Sequence, residues 1–286
     1  MGACLIDTDV TSPHQHAQGS LALTFAARDG RTRLARLYQA SPCRALFPEV
    51  ADEEIPQAVM INTAGGLVGG DRIALSVRIG LGAAATVTTQ AAEKIYRSLG
   101  QDCTVTANLD VAADSDLEWL PQETILFDGA RLDRRLKIDL SPTSRLLATE
   151  TVLFGRSARG ERLTYGHLHD SWALRIGDKL VWADAIGLSG DIEAARTRPF
   201  GFGDAAGYAT LVIAGRDAAT HLEATRALAA ASPARNSGAT LVNGVVILRF
   251  MDADAARLRS AVAESAGALR ALVMGRAPVL PRAWSL

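Results

Sequence analysis

The chain has 286 residues, 48% hydrophobic and 21% charged, with a formal net charge of -1. That length and apolar share support a well-buried core in one large or two small domains. Balanced charge argues against nucleic acid or an anionic membrane as partner, and no apolar run reaches the roughly 18 residues of a membrane span.

Residues 1–19 read as a flexible tail carrying Cys4, His14 and His16. The tail lacks a basic n-region and an apolar h-region, so it is not a secretory signal, and Ile6 stands where myristoylation asks for a hydroxyl. From residue 20 to 286 the pattern is that of a single domain. Asp29-Gly30 is its first turn. Gly65-Gly66-Leu67-Val68-Gly69-Gly70-Asp71 is a second. A phosphate loop requires lysine after its glycines, and Asp71 would repel phosphate. A tight β-turn with glycines at positive φ is the expectation. In a functional version, Asp71 is a hard oxygen ligand for an ion that approaches the backbone.

Ile73, Leu75, Val77 and Ile79 then alternate with polar or small residues, as do Cys103 to Val111, Leu136 to Leu140 and Trp172 to Ile176. Each is the signature of a half-buried strand. Between them, Thr86, Thr88, Thr89 and Gln90 lead into Lys94, Tyr96 and Arg97, a polar contact platform or simply a pleated surface. Leu120-Pro121-Gln122-Glu123 runs to the Asp128-Gly129 turn, where Glu123 and Asp128 are ligands or turn residues. Glu150 lies on the strand before a loop in which Arg156 and Glu161 are placed to pair. His167 and His169 share a strand face and could meet one metal, although a closed site asks for about four ligands. Gly201-Phe202-Gly203 misses the dinucleotide-binding spacing. Three widely spaced cysteines, Cys4, Cys43 and Cys103, point away from a disulfide framework and toward a reducing cytoplasm.

The texture changes at about residue 207. Tyr208 to Ala214 reads as a buried strand, Asp217 to Ala231 as a helix and Thr240 to Phe250 as a strand. Asp252 to Met274 reads as a second helix with Leu258, Val262, Leu269 and Leu272 on its apolar side. Asp252 or Asp254 is placed to cap its start and Gly275 to end it. The fold class is therefore mainly β: a multi-sheet or solenoid-like body with a small C-terminal strand–helix–strand–helix unit. No fixed-period sequence repeat is visible.

Taken in order, five segments resemble the urease accessory protein UreD family, also called UreH. They are Gly65 to Asp71, Thr88 to Ser98, Leu120 to Phe127, Gly155-Arg156 with Gly160-Glu161, and Pro278-Val279-Leu280-Pro281-Arg282-Ala283-Trp284. Only Ala283, where the family pattern has isoleucine, departs from it. The resemblance implies a cytoplasmic, non-enzymatic maturation factor of mainly β structure. It implies binding to UreF and through it to the nickel-carrying GTPase UreG, docking on the urease apoprotein, and insertion of nickel into the urease active site. It implies no tightly bound cofactor, only nickel in transit. A transit path must hold Ni²⁺ weakly, which scattered oxygens do better than a His/Cys cage. The path residues expected on that basis are Asp71, Thr88, Glu123, Asp128, Glu150 and Glu161, with Lys94, Tyr96 and Arg97 holding the architecture. The alternatives are a metal-dependent hydrolase of β-rich fold using His167 and His169, and a generic β-rich interaction module.

Overall fold

The computed structural model describes residues 16–51 and 54–285; Cys4, His14 and most of the tail 1–19 lie outside them. Alternating apolar residues between turn glycines produce strands β1 (Gln18–Arg28), β2 (Arg31–Ala40), β3 (Cys43–Leu46), β4 (Gln57–Asn62), β5 (Arg72–Ile79), β6 (Ala84–Thr89), β7 (Glu93–Ile95) and β8 (Cys103–Val111). There follow β9 (Asp116–Leu120), β10 (Thr124–Leu126), β11 (Arg131–Leu140), β12 (Arg145–Phe154), β13 (Tyr165–Ile176) and β14 (Lys179–Asp191). The remaining elements are α1 (Ile192–Arg196), β15 (Gly207–Gly215), α2 (Leu222–Ala231), β16 (Asn236–Val242), β17 (Val245–Asp252) and α3 (Ala255–Met274). β1 thus begins at Gln18, inside the stretch the sequence assigns to a tail.

From β5 onward the chain winds as a solenoid. It visits a first sheet with β5, β8, β11 and β13, all parallel, and between visits a second sheet with β6, β9 and β12, also parallel. β10 pairs in parallel with the end of β12, and β7 in parallel with β10, as a short branch of the second sheet. Strand starts at Arg72, Cys103, Arg131 and Tyr165 are unevenly spaced, which is why no sequence period shows. Antiparallel strands finish each sheet: β2 on β1 and β14 on β13 in the first, β15, β17 and β16 beyond β12 in the second.

Two cores result. Between the sheets, Leu23, Phe25, Val77, Leu109, Ile138 and Trp119 are buried together. Behind the second sheet, Leu258, Val262 and Leu269 of α3 pack on Leu120, Leu147, Leu211 and Leu248. Each such side chain is worth about 1.5–3 kcal/mol of transfer free energy. Asp254 caps α3 by accepting from Ala256 N and Arg257 N (2.8 and 3.2 Å), and Gly275, at φ 64°, ends it. Leu272 departs from expectation at 49% exposed, because the buried stripe runs through Arg270 and Val273 instead.

A larger correction concerns Thr240 to Phe250, which the sequence suggests is one strand. Asn243 and Gly244 both adopt left-handed backbone (φ 47° and 84°) and fold the segment into the β16–β17 hairpin. The Asp217 to Ala231 helix begins as a 3-10 turn over Ala218–His221 before α2. Among the described residues no helix is long and apolar enough to cross a membrane.

Candidate functional site

Alternation on β11 puts Leu132, Leu136 and Ile138 between the sheets, and it puts Arg134 there with them. The same parity on β13 sends Asp170 inward with Trp172 and Leu174. On β12 it sends Glu150 inward from the opposite sheet. The three meet. Arg134 donates from Nε and Nη2 to the two oxygens of Asp170 (2.9 and 2.8 Å) and from Nη1 to Glu150 Oε2 (2.6 Å) and Thr124 Oγ1 (3.1 Å). Trp119 Nε1 donates to Glu150 Oε1 (2.9 Å), and the Tyr208 hydroxyl donates to Asp170 Oδ2 (2.6 Å). Every oxygen of both buried carboxylates has a partner, as burial of charge demands.

Electrostatics divides the pair. Burial pushes the Glu150 carboxyl up, and the Arg134 charge and Trp119 hydrogen bond offset this only in part. Burial also works on Asp170, but there Arg134 and Tyr208 outweigh it and hold the carboxyl below its usual range. Burial opposes the charge on Arg134, yet Asp170 and Glu150 overcome it and keep the guanidinium ionised.

Arg134, Glu150, Trp119 and Thr124 form part of the lining of a cavity of about 220 Å³ between the sheets. Its walls are otherwise largely apolar, including Leu21, Ile73 and Leu136, and the exposed Gln90, Ala91 and Lys94 sit at its rim. Glu93 also faces it, with both carboxylate oxygens accepting from Asn62 Nδ2 (3.1 Å each). Burial pushes the Glu93 carboxyl up despite Asn62 and Lys94. β7 and β10 pair with Glu93 opposite Thr124, and Arg134 joins Thr124 to Glu150 and Asp170, so Glu93, Thr124 and Glu150 all belong to the cavity lining.

The residues expected to form an ion path do not converge on one place. Asp71 holds the glycine turn and the entry to β1: its carboxylate accepts from Val68 N (2.8 Å) and Ala17 N (2.7 Å). Thr88 lies on the helical side of the second sheet, donating to Leu120 O (2.6 Å) and accepting from Trp284 Nε1 (3.2 Å). Glu123 pairs there with Arg259 (2.8 Å). Asp128 accepts from Thr164 N and Oγ1 (2.8 Å each) and from Arg97 Nη2 (3.0 Å). Glu161 pairs with Arg156 (2.5 Å), which stacks over Phe127 at 4.2 Å. Only Glu150 faces the cavity. Tyr96 and Arg97 do hold architecture. The Tyr96 hydroxyl donates to Gly65 O (3.1 Å), and its ring lies where any side chain at Gly66 (φ 149°) would strike it. Lys94 contributes its carbonyl to Leu67 N (2.8 Å).

Arg134, Asp170 and Tyr208 were not anticipated from sequence. The available signal was parity: Arg134 and Asp170 stand in phase with apolar rows. The histidines stand out of phase, so His167 and His169 face outward, where His169 Nδ1 lies 3.0 Å from Asp133 Oδ1. Among the described residues no three His, Cys, Asp or Glu side chains gather to hold a metal ion. Cys43 and Cys103 are free and buried, with thiols pushed up to about 11 and about 12 by burial and nearby carboxylates, and hence protonated near neutrality.

Two stacked sheets of a solenoid, with a satisfied ionic cluster beside an interior cavity, define a mainly β solenoid-like protein with a C-terminal helical layer. The chain belongs to the UreD urease accessory protein family, whose model matches residues 17–285. It is 41% identical over 280 residues to the urease accessory protein UreD of Magnetococcus marinus, covering 96% of each chain. It is 44% identical over 268 residues to that of Rhodopseudomonas palustris, covering 94% of this chain and 92% of the relative. A Methylobacterium UreD is 42% identical over 275 residues, covering 94% of this chain and 95% of the relative.

Proposed function

We propose that this protein is a non-catalytic urease maturation factor that acts in the cytoplasm. With UreF and the GTPase UreG it docks on apo-urease and enables nickel insertion into the active site. The observation that carries the reading is the family match along nearly the whole described chain. The oxygen-bearing side chains in the cavity lining support a more specific role. Glu93, Thr124 and Glu150 offer hard, sparse donors, a set that passes a borderline divalent ion on without caging it. Glu150 remains from the ion path expected at the sequence level, and Glu93 and Thr124 join it.

The test is urease maturation in cells that express the urease subunits with UreF and UreG. Omitting this chain is expected to leave urease with little nickel. Glu93→Gln and Glu150→Gln are expected to lower nickel per active site several-fold while UreF still co-purifies with the variants. Full nickel loading without the chain would refute the maturation role, and full loading with both substitutions would refute the route. A histidine-centred hydrolase predicts metal retained by the purified chain and lost in His167→Ala, an outcome the outward, ligand-poor histidine pair does not favour.

A further inference from the structure

The first sheet ends in a strand that is paired on one side. β2 bonds to β1 and, among the described residues, to no strand beyond it. Its outer row of backbone N–H and C=O groups is therefore a template for one more strand.

The side chains along that edge specify what fits it. In the register with β1, Leu34 stands opposite Phe25 and Leu37 opposite Leu23, on the face turned to the core. Arg33, Arg36 and Tyr38 stand opposite Ala26, Thr24 and Ala22, on the outer face. Ala35 is the extra residue of a bulge, and it keeps the two halves of β2 in phase; without it Arg36 would turn inward and Leu37 outward. Leu34 and Leu37 remain 36% and 39% exposed, although Phe25 and Leu23 beside them are 0% and 1% exposed. They share the core face but have no cover on the edge side. Arg33 and Arg36 have no carboxylate partner among the described residues. Arg78 of β5, in the same row as Thr24 and Arg36, is paired with the exposed Asp110 (3.1 Å). Ala22, Thr24 and Ser76 floor a shallow depression between Arg36, Tyr38 and Arg78, which leaves room there for an incoming side chain.

A second copy of this chain is a poor occupant, because β2 against β2 sets arginine against arginine, and like charges directly opposite are destabilising. A polyphosphate would satisfy the arginines and leave the leucines and the backbone edge bare. We propose that the free edge of β2 docks an extended acidic segment of a partner protein, added to the first sheet as a further strand. Its carboxylates lie on the outer face against Arg33 and Arg36, and its alternate apolar side chains cover Leu34 and Leu37. The docking site is independent of the cavity and of any ion route through it.

The test is fluorescence anisotropy of a labelled peptide of strictly alternating glutamate and valine, titrated with the full-length chain at low salt, with every variant checked for folding by circular dichroism. Saturable binding is expected. Arg33→Glu with Arg36→Glu is expected to weaken it about tenfold, since two cross-strand attractions become repulsions. Leu37→Asp alone is expected to weaken it several-fold. A peptide of the same composition with its glutamates and valines in two blocks is expected to bind poorly. N-methylation of every second residue is expected to abolish binding in one phase and spare it in the other, because alternate N–H groups of an added strand face β2. Absence of saturable binding, full affinity in the double arginine variant, or equal affinity of the block peptide or of both N-methylated phases would overturn the proposal. Equal affinity for an oligothymidylate of matching charge would make this face a site for polyanions and overturn it too. So would a dimer in light scattering that Leu37→Asp dissolves, which gives the edge to a second copy.

Discussion

The most demanding prediction concerns Arg270, on the buried side of α3. Its side chain is 1% exposed and that of its partner Glu118 is 0% exposed. Arg270 Nε donates to both Glu118 oxygens (2.9 and 3.0 Å), Nη2 to Glu54 (2.6 Å), and Nη1 to the carbonyls of Ala277 and Val279 (2.8 and 3.0 Å). Thr86 Oγ1 donates the remaining bond to Glu118 (2.5 Å). Arg270→Met keeps most of the volume but strands a carboxylate in the core. Breaking a buried pair in this way costs about 3–5 kcal/mol, a large part of the roughly 5–15 kcal/mol that holds a typical domain folded. Arg270→Met with Glu118→Leu removes the stranded charge and is expected to recover about 2 kcal/mol, the carbonyls of Ala277 and Val279 still lacking a donor.

Urea unfolding followed by circular dichroism measures both variants. pH supplies a second axis. Burial already pushes the Glu118 carboxyl up in the native protein, with Arg270 and Thr86 pulling it back. Without Arg270 it rises further. A folded-state carboxyl above its unfolded value penalises folding fully above the folded value, and the penalty fades as pH falls toward the ordinary glutamate range. The loss in Arg270→Met is therefore expected to be smaller near pH 5 than near pH 8. A single variant that loses less than about 1 kcal/mol, or a double variant no better than the single, refutes the account of this pair.

Gly244→Ala is expected to cost about 1–2 kcal/mol by urea melt, since φ 84° suits glycine and strains alanine. Trp284→Ala is expected to cost about 3–5 kcal/mol. Its indole is buried and donates to Leu120 O (3.1 Å) and Thr88 Oγ1 (3.2 Å), so the helical layer should gain amide exchange in α3 before the sheets do. Asp252 is held down to about 2, chiefly by hydrogen bonds from Arg257. Its stabilising contribution is present above the ordinary aspartate range and is lost as pH falls through about 2, so Asp252→Asn should lower Tm at pH 7 and leave it unchanged below pH 2.

Where alternation was clean, the sequence was an accurate guide. The rows Ile73 to Ile79, Cys103 to Val111 and Leu136 to Leu140 all became strands of one sheet, and Asp29-Gly30 became a hairpin turn with both residues at positive φ. Sheet membership was not legible. Successive strands go to opposite sheets because each coil turns through a short corner, and nothing in a local period of two records that. Asn243-Gly244 is a strong hairpin dipeptide, yet apolar residues on both flanks let it pass as one continuous strand. In the candidate site, carboxylates near glycine turns drew attention that belonged to Arg134 and Asp170. Their charge, set on the wet-looking side of no obvious turn, became informative only through their phase with Leu136 and Trp172.

The hairpins at the two rims of the first sheet have a consequence for assembly. A stack of parallel coils left open at its end offers a ready template for another copy, and bare solenoids join head to tail into filaments. Here β2 covers β1 in reversed direction, with exposed Arg33 and Arg36 along it, and β14 does the same for β13 at the far rim. Removing the first hairpin arm would leave β1 as an open edge of the parallel coils, the kind of edge on which another strand can pair.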